Sequence, residues 1–154
     1  MSLNITLQDR RILQHLQRNC RQSIAEIGEE IGMSTSACHR RIKQLEEKGL
    51  IKNYVAKLDA RKLGYVMDAM VEISLISQSE EALTNFEQAI EQTPEILECH
   101  LMAGEADYLL RLVATGLEDY ERQHRDVVSR LPGVSRVKSN IILRTIKHSQ
   151  GLNI

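Results

Sequence analysis

The chain has few cysteines and no long apolar run. Cys20, Cys38 and Cys99 are odd in number, widely spaced and set within helix or strand patterns, which excludes a disulfide framework and leaves reduced thiols packed as small core residues. No apolar run approaches the roughly 20 residues that a helix needs to cross a bilayer, and the opening Met-Ser-Leu-Asn-Ile-Thr has no basic or apolar signal-type region. A cytoplasmic protein that does not enter a membrane is expected. The sequence also lacks a phosphate-binding glycine loop, a His-Glu-x-x-His pair and a Cys-x-x-Cys pair, so nucleotide hydrolysis and structural zinc have no support, and no cofactor or metal is expected. The five histidines are dispersed: His15 and His124 fall in helical patterns, and His100 sits mid-strand beside Cys99, where packing explains it more simply than a metal. Glu80, Glu81, Glu118, Asp119 and Glu121 crowd the first turns of two expected helices, where they complement the helix dipole and form no catalytic pair.

What is present is an apolar content of 42% over 154 residues, enough for one ordinary domain or two small ones. The net charge of −1 hides an asymmetry. Residues 1–62 hold 12 Lys/Arg against 7 Asp/Glu, and residues 63–154 hold 8 against 14. A basic half beside an acidic half is the footprint expected of a domain that meets a polyanion.

The basic half reads as three helices. Thr6 with Asp9 caps a first helix that ends near Asn19, with Leu7, Ile12, Leu13 and Leu16 as its apolar stripe. Ser23 with Glu26 makes a second capping box, and Ile24, Ile27 and Ile31 share one face of a helix to about Glu30. Gly32 and Met33 interrupt it, and Ser34 caps a third helix, Thr35 to Lys48, closed by Gly49. Its apolar side is Cys38, Ile42 and Leu45; the opposite side carries Ser36, His39, Arg40, Lys43 and Gln44, with Arg41 at the margin. Two helices joined by so short a turn cross steeply, and small hydroxyls followed by arginines suit base edges and phosphates in a major groove. Ser34, Thr35, Ser36, His39, Arg40, Arg41, Lys43, Gln44 and the following Lys52 are therefore the candidate DNA contacts. Ile51 to Leu58 reads as a strand, a wing or an exit from the domain.

The polar stretch Asp59 to Tyr65, with Gly64, marks a linker. We place the first domain at 1–59, the linker at 60–66 and the second domain at 67–154. In the second domain a pattern occurs twice: strand (67–76), helix (80–92), Pro94, strand (96–103), then strand (107–114), helix (117–130), Pro132-Gly133, strand (134–147). Tandem βαβ units joined by a Gly104-Glu105-Ala106 hairpin give a four-stranded antiparallel sheet with both helices on one face. The fold class is α+β, a winged-type helix-turn-helix domain followed by a ferredoxin-like βαββαβ domain. Leu97, Cys99 and Leu101 alternate with Ile96, His100 and Met102, and Ile142 and Ile146 with Ile141 and Leu143. The sheet face away from the helices is thus expected to be apolar and to pack on a second copy.

Over almost its whole length the chain resembles the Lrp/AsnC (leucine-responsive and asparagine-responsive) regulators. The matching segments are 9–13, 32–46, 49–54, Gly-Glu-Ala-Asp-Tyr-Leu-Leu at 104–110 and Leu-Pro-Gly-Val at 131–134. The resemblance implies a transcription regulator binding double-stranded DNA, dimers built by sheet packing, assembly to octamers, and an amino acid or related metabolite bound between dimers. It implies an effector site at Gly104, Glu105, Ala106, Asp107, Tyr108 and Ser139. At two threonine positions found in amino-acid-binding members this chain has Val137 and Ser139, and Val137 cannot hydrogen-bond. Two alternatives stay open on the sequence: a siroheme-decarboxylase-like enzyme on the same architecture, and an architectural DNA-binding protein without an effector.

Overall fold

Each of the first three helices begins where a hydroxyl can cap it. In the computed structural model, which describes residues 5–149 and 151–154, α1 is Leu7–Arg18, α2 is Ile24–Ile31 and α3 is Thr35–Glu47. Thr6 and Ser23 form complete capping boxes with Asp9 and Glu26, and the Ser34 side chain accepts from the Ala37 N–H, so orphan amides at each start are satisfied. Gly32, at φ 72°, ends α2 in the left-handed region, which a glycine enters without steric cost. Ile12, Ile27, Ile31, Cys38, Ile42 and Leu45 make the core of this unit. Gly28 lets α2 and the following turn approach: a Cβ there would lie 2.8 Å from the Met33 carbonyl oxygen.

The chain divides into two compact units. The first runs to Lys57 and takes in Ile146–Ile154; the second is Leu58–Thr145. The C-terminal residues, expected with the second domain, thus cluster with the first, where Gln17 Nε2 donates to the Leu152 carbonyl at 3.1 Å. The expected strand from Ile51 to Leu58 is not formed. A strand needs a ladder partner, and none is present among the described residues; Tyr54 instead donates its hydroxyl to Glu46 at 2.8 Å.

In the second unit β1 is Met67–Leu75, α4 Glu80–Glu91, β2 Ile96–Leu101, β3 Tyr108–Ala114, α5 Leu117–Asp126 and β4 Val134–Ile141, with a 3-10 turn at Val128–Arg130. The sheet is antiparallel in the order β2-β3-β1-β4, the ferredoxin-like arrangement. Val71, Ile73, Leu110, Leu112, Phe86 and Tyr108 are buried between sheet and helices, each contributing about 1.5–3 kcal/mol. The Phe86 and Tyr108 rings lie 4.5 Å apart.

The face away from the helices departs from expectation. Alternation puts Asp68, Glu72, Arg111, Glu98, His100, Arg136 and Lys138 there, with Met70, Leu109 and Val113 between them. Arg111 pairs with Asp68 and Glu98 at 2.8 Å each, and Lys138 with Glu72 at 3.3 Å. Leu101 and Met102 are exposed. β4 stops at Ile141, so Leu143 and Ile146 lie beyond the sheet. The simple alternation along β2 fails because register with β3 shifts between Ile96 and Glu98: an inserted residue breaks the period of two.

Candidate nucleic-acid interface and effector surface

α3 is held by its buried side, which leaves the opposite side free. Ser34, Thr35, Ser36, His39, Arg40, Lys43 and Gln44 are all exposed, as is Lys52 beyond the helix. Arg40, Lys43 and Lys52 make no ion pair among the described residues. Ser36, His39, Arg40, Lys43 and Gln44 follow the i, i+3, i+4 repeat of one helical face, so the structure brings them together. Ser34 Oγ accepts from the Ala37 N–H at its cap and lies 3.3 Å from Ser36 Oγ, which leaves its hydroxyl a proton to donate.

Arg41 is the exception and corrects the sequence expectation. Its guanidinium pairs with Asp9, which is only 4% exposed, and Nη2 reaches Asp9 Oδ2 at 3.0 Å and Thr6 Oγ1 at 2.9 Å. Burial pushes the Asp9 carboxyl up, but the hydrogen bonds from Arg41 and Thr6 more than offset it and hold the group below its ordinary value. Arg41 therefore ties α3 to the capping box of α1. This orients the helix without offering its charge to a ligand.

The expected effector residues are not brought to one rim. The segment between Leu101 and Tyr108 is closed by the Met102 N–H donating to the Asp107 carbonyl at 2.8 Å, and Gly104 and Glu105 project into solvent, Glu105 pairing with Arg136 at 3.0 Å. Asp107 faces inward: its carboxylate accepts from the Leu75 N–H at 2.7 Å and from Gln78 Nε2 at 2.6 Å, capping the end of β1. Tyr108 is buried under α4 and donates to Glu87 at 2.8 Å; burial, then that carboxylate, raises its phenol well above the usual range. Ser139, on the edge strand β4, accepts from the Tyr120 hydroxyl, and Val137 packs on the core opposite Ile73. Only Gly104, Glu105 and Ala106 remain at the rim with their side chains or backbone uncommitted to the core.

Two features escaped the sequence. Gly28 is one, although a glycine inside a helical pattern signals close backbone approach. Gln123 is the other: it is 5% exposed, and its Oε1 is the one buried side-chain polar atom without a hydrogen-bond partner among the described residues. No local signal marks it. Among the described residues no group of three or more His, Cys, Asp or Glu could hold a metal, and no helix is long and apolar enough to cross a membrane.

Comparison with known proteins agrees with this architecture in both units. Residues 5–52 match the winged helix-turn-helix DNA-binding family, and residues 68–152 match the Lrp/AsnC ligand binding domain. The glutamate uptake regulatory protein of Zymomonas mobilis is 37% identical, covering 92% of this chain and 85% of its own. The DNA-binding transcriptional activator DecR of Escherichia coli is 34% identical over 95% of this chain and 96% of its own. Among solved structures, a transcriptional regulator of Neisseria meningitidis in complex with L-Met superposes with a TM-score of 0.91 at 32% identity, covering 97% of this chain and 96% of its own. The chain belongs to the Lrp/AsnC family of transcriptional regulators.

Proposed function

We propose that this regulator reads DNA with the exposed face of α3, through Ser36, His39, Arg40, Lys43 and Gln44, and that Ser34, Thr35 and Lys52 engage the phosphate backbone. The observation that carries this is that Arg40 and Lys43, unpaired among the described residues, share one exposed face of a helix whose other face is fixed in a core. Base contacts from such a helix specify sequence, and flanking lysines add salt-dependent affinity. A homodimer supplies two such helices to a pseudo-palindromic site. Its support is the unpaired Ile51–Leu58 segment, which leaves Tyr54, Val55 and Leu58 at least half exposed and its backbone open to a second copy. Dimers assemble further, to octamers. The protein acts in the cytoplasm, as a regulator and not as an enzyme.

The second unit takes an amino acid or related metabolite that shifts assembly or DNA affinity. The exposed Gly104 and Glu105 and the half-buried Ala106 offer it a surface between dimers. Anisotropy titration of genomic fragments with and without amino acids tests both halves of the proposal. Arg40→Ala should weaken a specific site by about 1–3 kcal/mol, and Lys52→Ala should weaken all sequences alike and lower the salt slope by about one. An unchanged affinity in Arg40→Ala, Lys43→Ala double-substituted protein would remove α3 as the reader.

A further inference from the structure

We propose that Gln14, Gln17 and Gly151 are positioning residues for DNA binding: they clasp residues 151–154 to the outer face of α1 and so restrain the DNA-binding unit at a second point of the chain. The inference rests on the reading of paired α3 helices given above; the contact itself is read from the structure alone.

The chain belongs to the first unit twice, up to Lys57 and again from Ile146 onward, after β4 and Thr145 of the second unit. On its return it meets two glutamines. Gln14 and Gln17 lie one turn apart on α1, on the side away from the buried Ile12. Gln17 makes the two-point pairing that one strand makes with another: its Nε2 donates to the Leu152 carbonyl at 3.1 Å, and its Oε1 accepts from the Leu152 N–H at 2.5 Å. Gln14 Nε2 donates to the Ile154 carbonyl. The Gln17 amide fits in one orientation only, since exchanging its ends would set donor against donor and acceptor against acceptor. Gly151 closes the fit. Its φ of 108° lies in the left-handed region, and a Cβ there would stand 2.2 Å from Gln17 Oε1 and 2.6 Å from its Cδ. A side chain at 151 therefore drives the Gln17 amide off Leu152.

The clasp reaches α3 through Arg41, which ties that helix to Asp9 and Thr6 at the start of α1. Residues 151–154, Gly-Leu-Asn-Ile, carry no side-chain charge, so the clasp adds nothing to the attraction for phosphate. A unit held by one connection samples many orientations. A second connection narrows them and lowers the entropy lost when two α3 helices must meet two half-sites together. A single half-site asks for no such alignment, so the clasp acts on paired binding alone.

The test uses full-length wild type, Gln17→Ala, Gly151→Val and the double variant, with anisotropy against DNA carrying two half-sites or one, over a range of salt. Hydrogen exchange of residues 151–154 reports the clasp directly. The expected result is faster exchange there in both single variants, two-site affinity reduced about threefold or more, and half-site affinity, salt slope and Tm unchanged. Because both substitutions break one contact, the double variant should lose no more than either. A Gln17→Ala protein that binds both DNAs more weakly to the same degree, or with a lower salt slope, makes Gln17 a direct DNA contact and overturns the inference. Two-site affinity that is unchanged or tighter despite faster exchange overturns the restraint, and unchanged exchange overturns the clasp. Wild type that binds two half-sites no better than one overturns the reading of paired α3 helices and this positioning role with it, while the exchange result still decides the clasp.

Discussion

Replacing Arg41 by alanine separates a residue that holds α3 in place from those proposed to read DNA with it. Arg41 gives Asp9 and Thr6 three hydrogen bonds across 32 residues or more of sequence, and Asp9 is 4% exposed. Removing one partner of a buried pair leaves the other charge uncompensated, at about 3–5 kcal/mol. The Arg41 side chain is 33% exposed, so water can partly replace it and the expected loss is roughly 2–3 kcal/mol. For a unit of this size that is a fall in Tm of roughly 10–20 °C. The pH dependence supplies a second readout. Because the folded Asp9 carboxyl lies below its ordinary value, its stabilisation is fully present above the unfolded pKa and is lost as pH falls through the folded one. The gap between wild type and Arg41→Ala should therefore be widest near neutrality and narrow in acid. Thermal and urea melts from pH 3 to pH 7, with DNA affinity measured well below the variant's Tm, make the comparison. A variant that melts with wild type and yet loses DNA binding would refute the structural role and return Arg41 to the interface.

Further predictions rest on other contacts. Gly28→Ala places a methyl 2.8 Å from the Met33 carbonyl oxygen and should cost about 1–3 kcal/mol through strain, lowering the melt of the helix-turn-helix unit; a neutral or stabilising effect would contradict the close approach. Asp107→Ala orphans the Leu75 amide and should cost about 1–3 kcal/mol, whereas a purely ligand-binding Asp107 would leave the melt unchanged. The Glu98 carboxyl is held below its ordinary value, first by its hydrogen bond from Arg111 against some desolvation. Its contribution is present above the ordinary glutamate pKa and lost as pH falls, so Arg111→Met should flatten the acid limb of the stability profile.

Local chemistry was legible in the sequence, and chemistry spread over many residues was not. The capping boxes at Thr6 and Ser23, the closing Gly49 and the two βαβ units follow from neighbours three or four residues apart or from simple periodicity, and all are present. Arg41 looked like a DNA contact because a helix margin shows only that a residue is charged, not that Asp9 awaits it. Asp107 reads as an exposed hairpin carboxylate because the Leu75 amide it accepts from, at the end of β1, is 32 residues away. The expectation of an Ile51–Leu58 strand rests on β-propensity, which says nothing about whether the same chain supplies a partner. The expectation of an apolar open sheet face rests on β2, where the register shift between Ile96 and Glu98 breaks the alternation. The Gln123 acceptor is set by the packing of α5 on the end of β3, which no window of sequence contains.

The account stands on the exposed face of α3, and one measurement tests it most directly: anisotropy of a selected DNA site against wild type, Arg40→Ala, Lys43→Ala and the double variant, over a range of salt. The prediction is a loss of about 1–3 kcal/mol at Arg40, relaxed preference for the selected site, and a salt slope reduced with each phosphate contact removed. Wild-type affinity, site preference and salt slope in the folded double variant would contradict it.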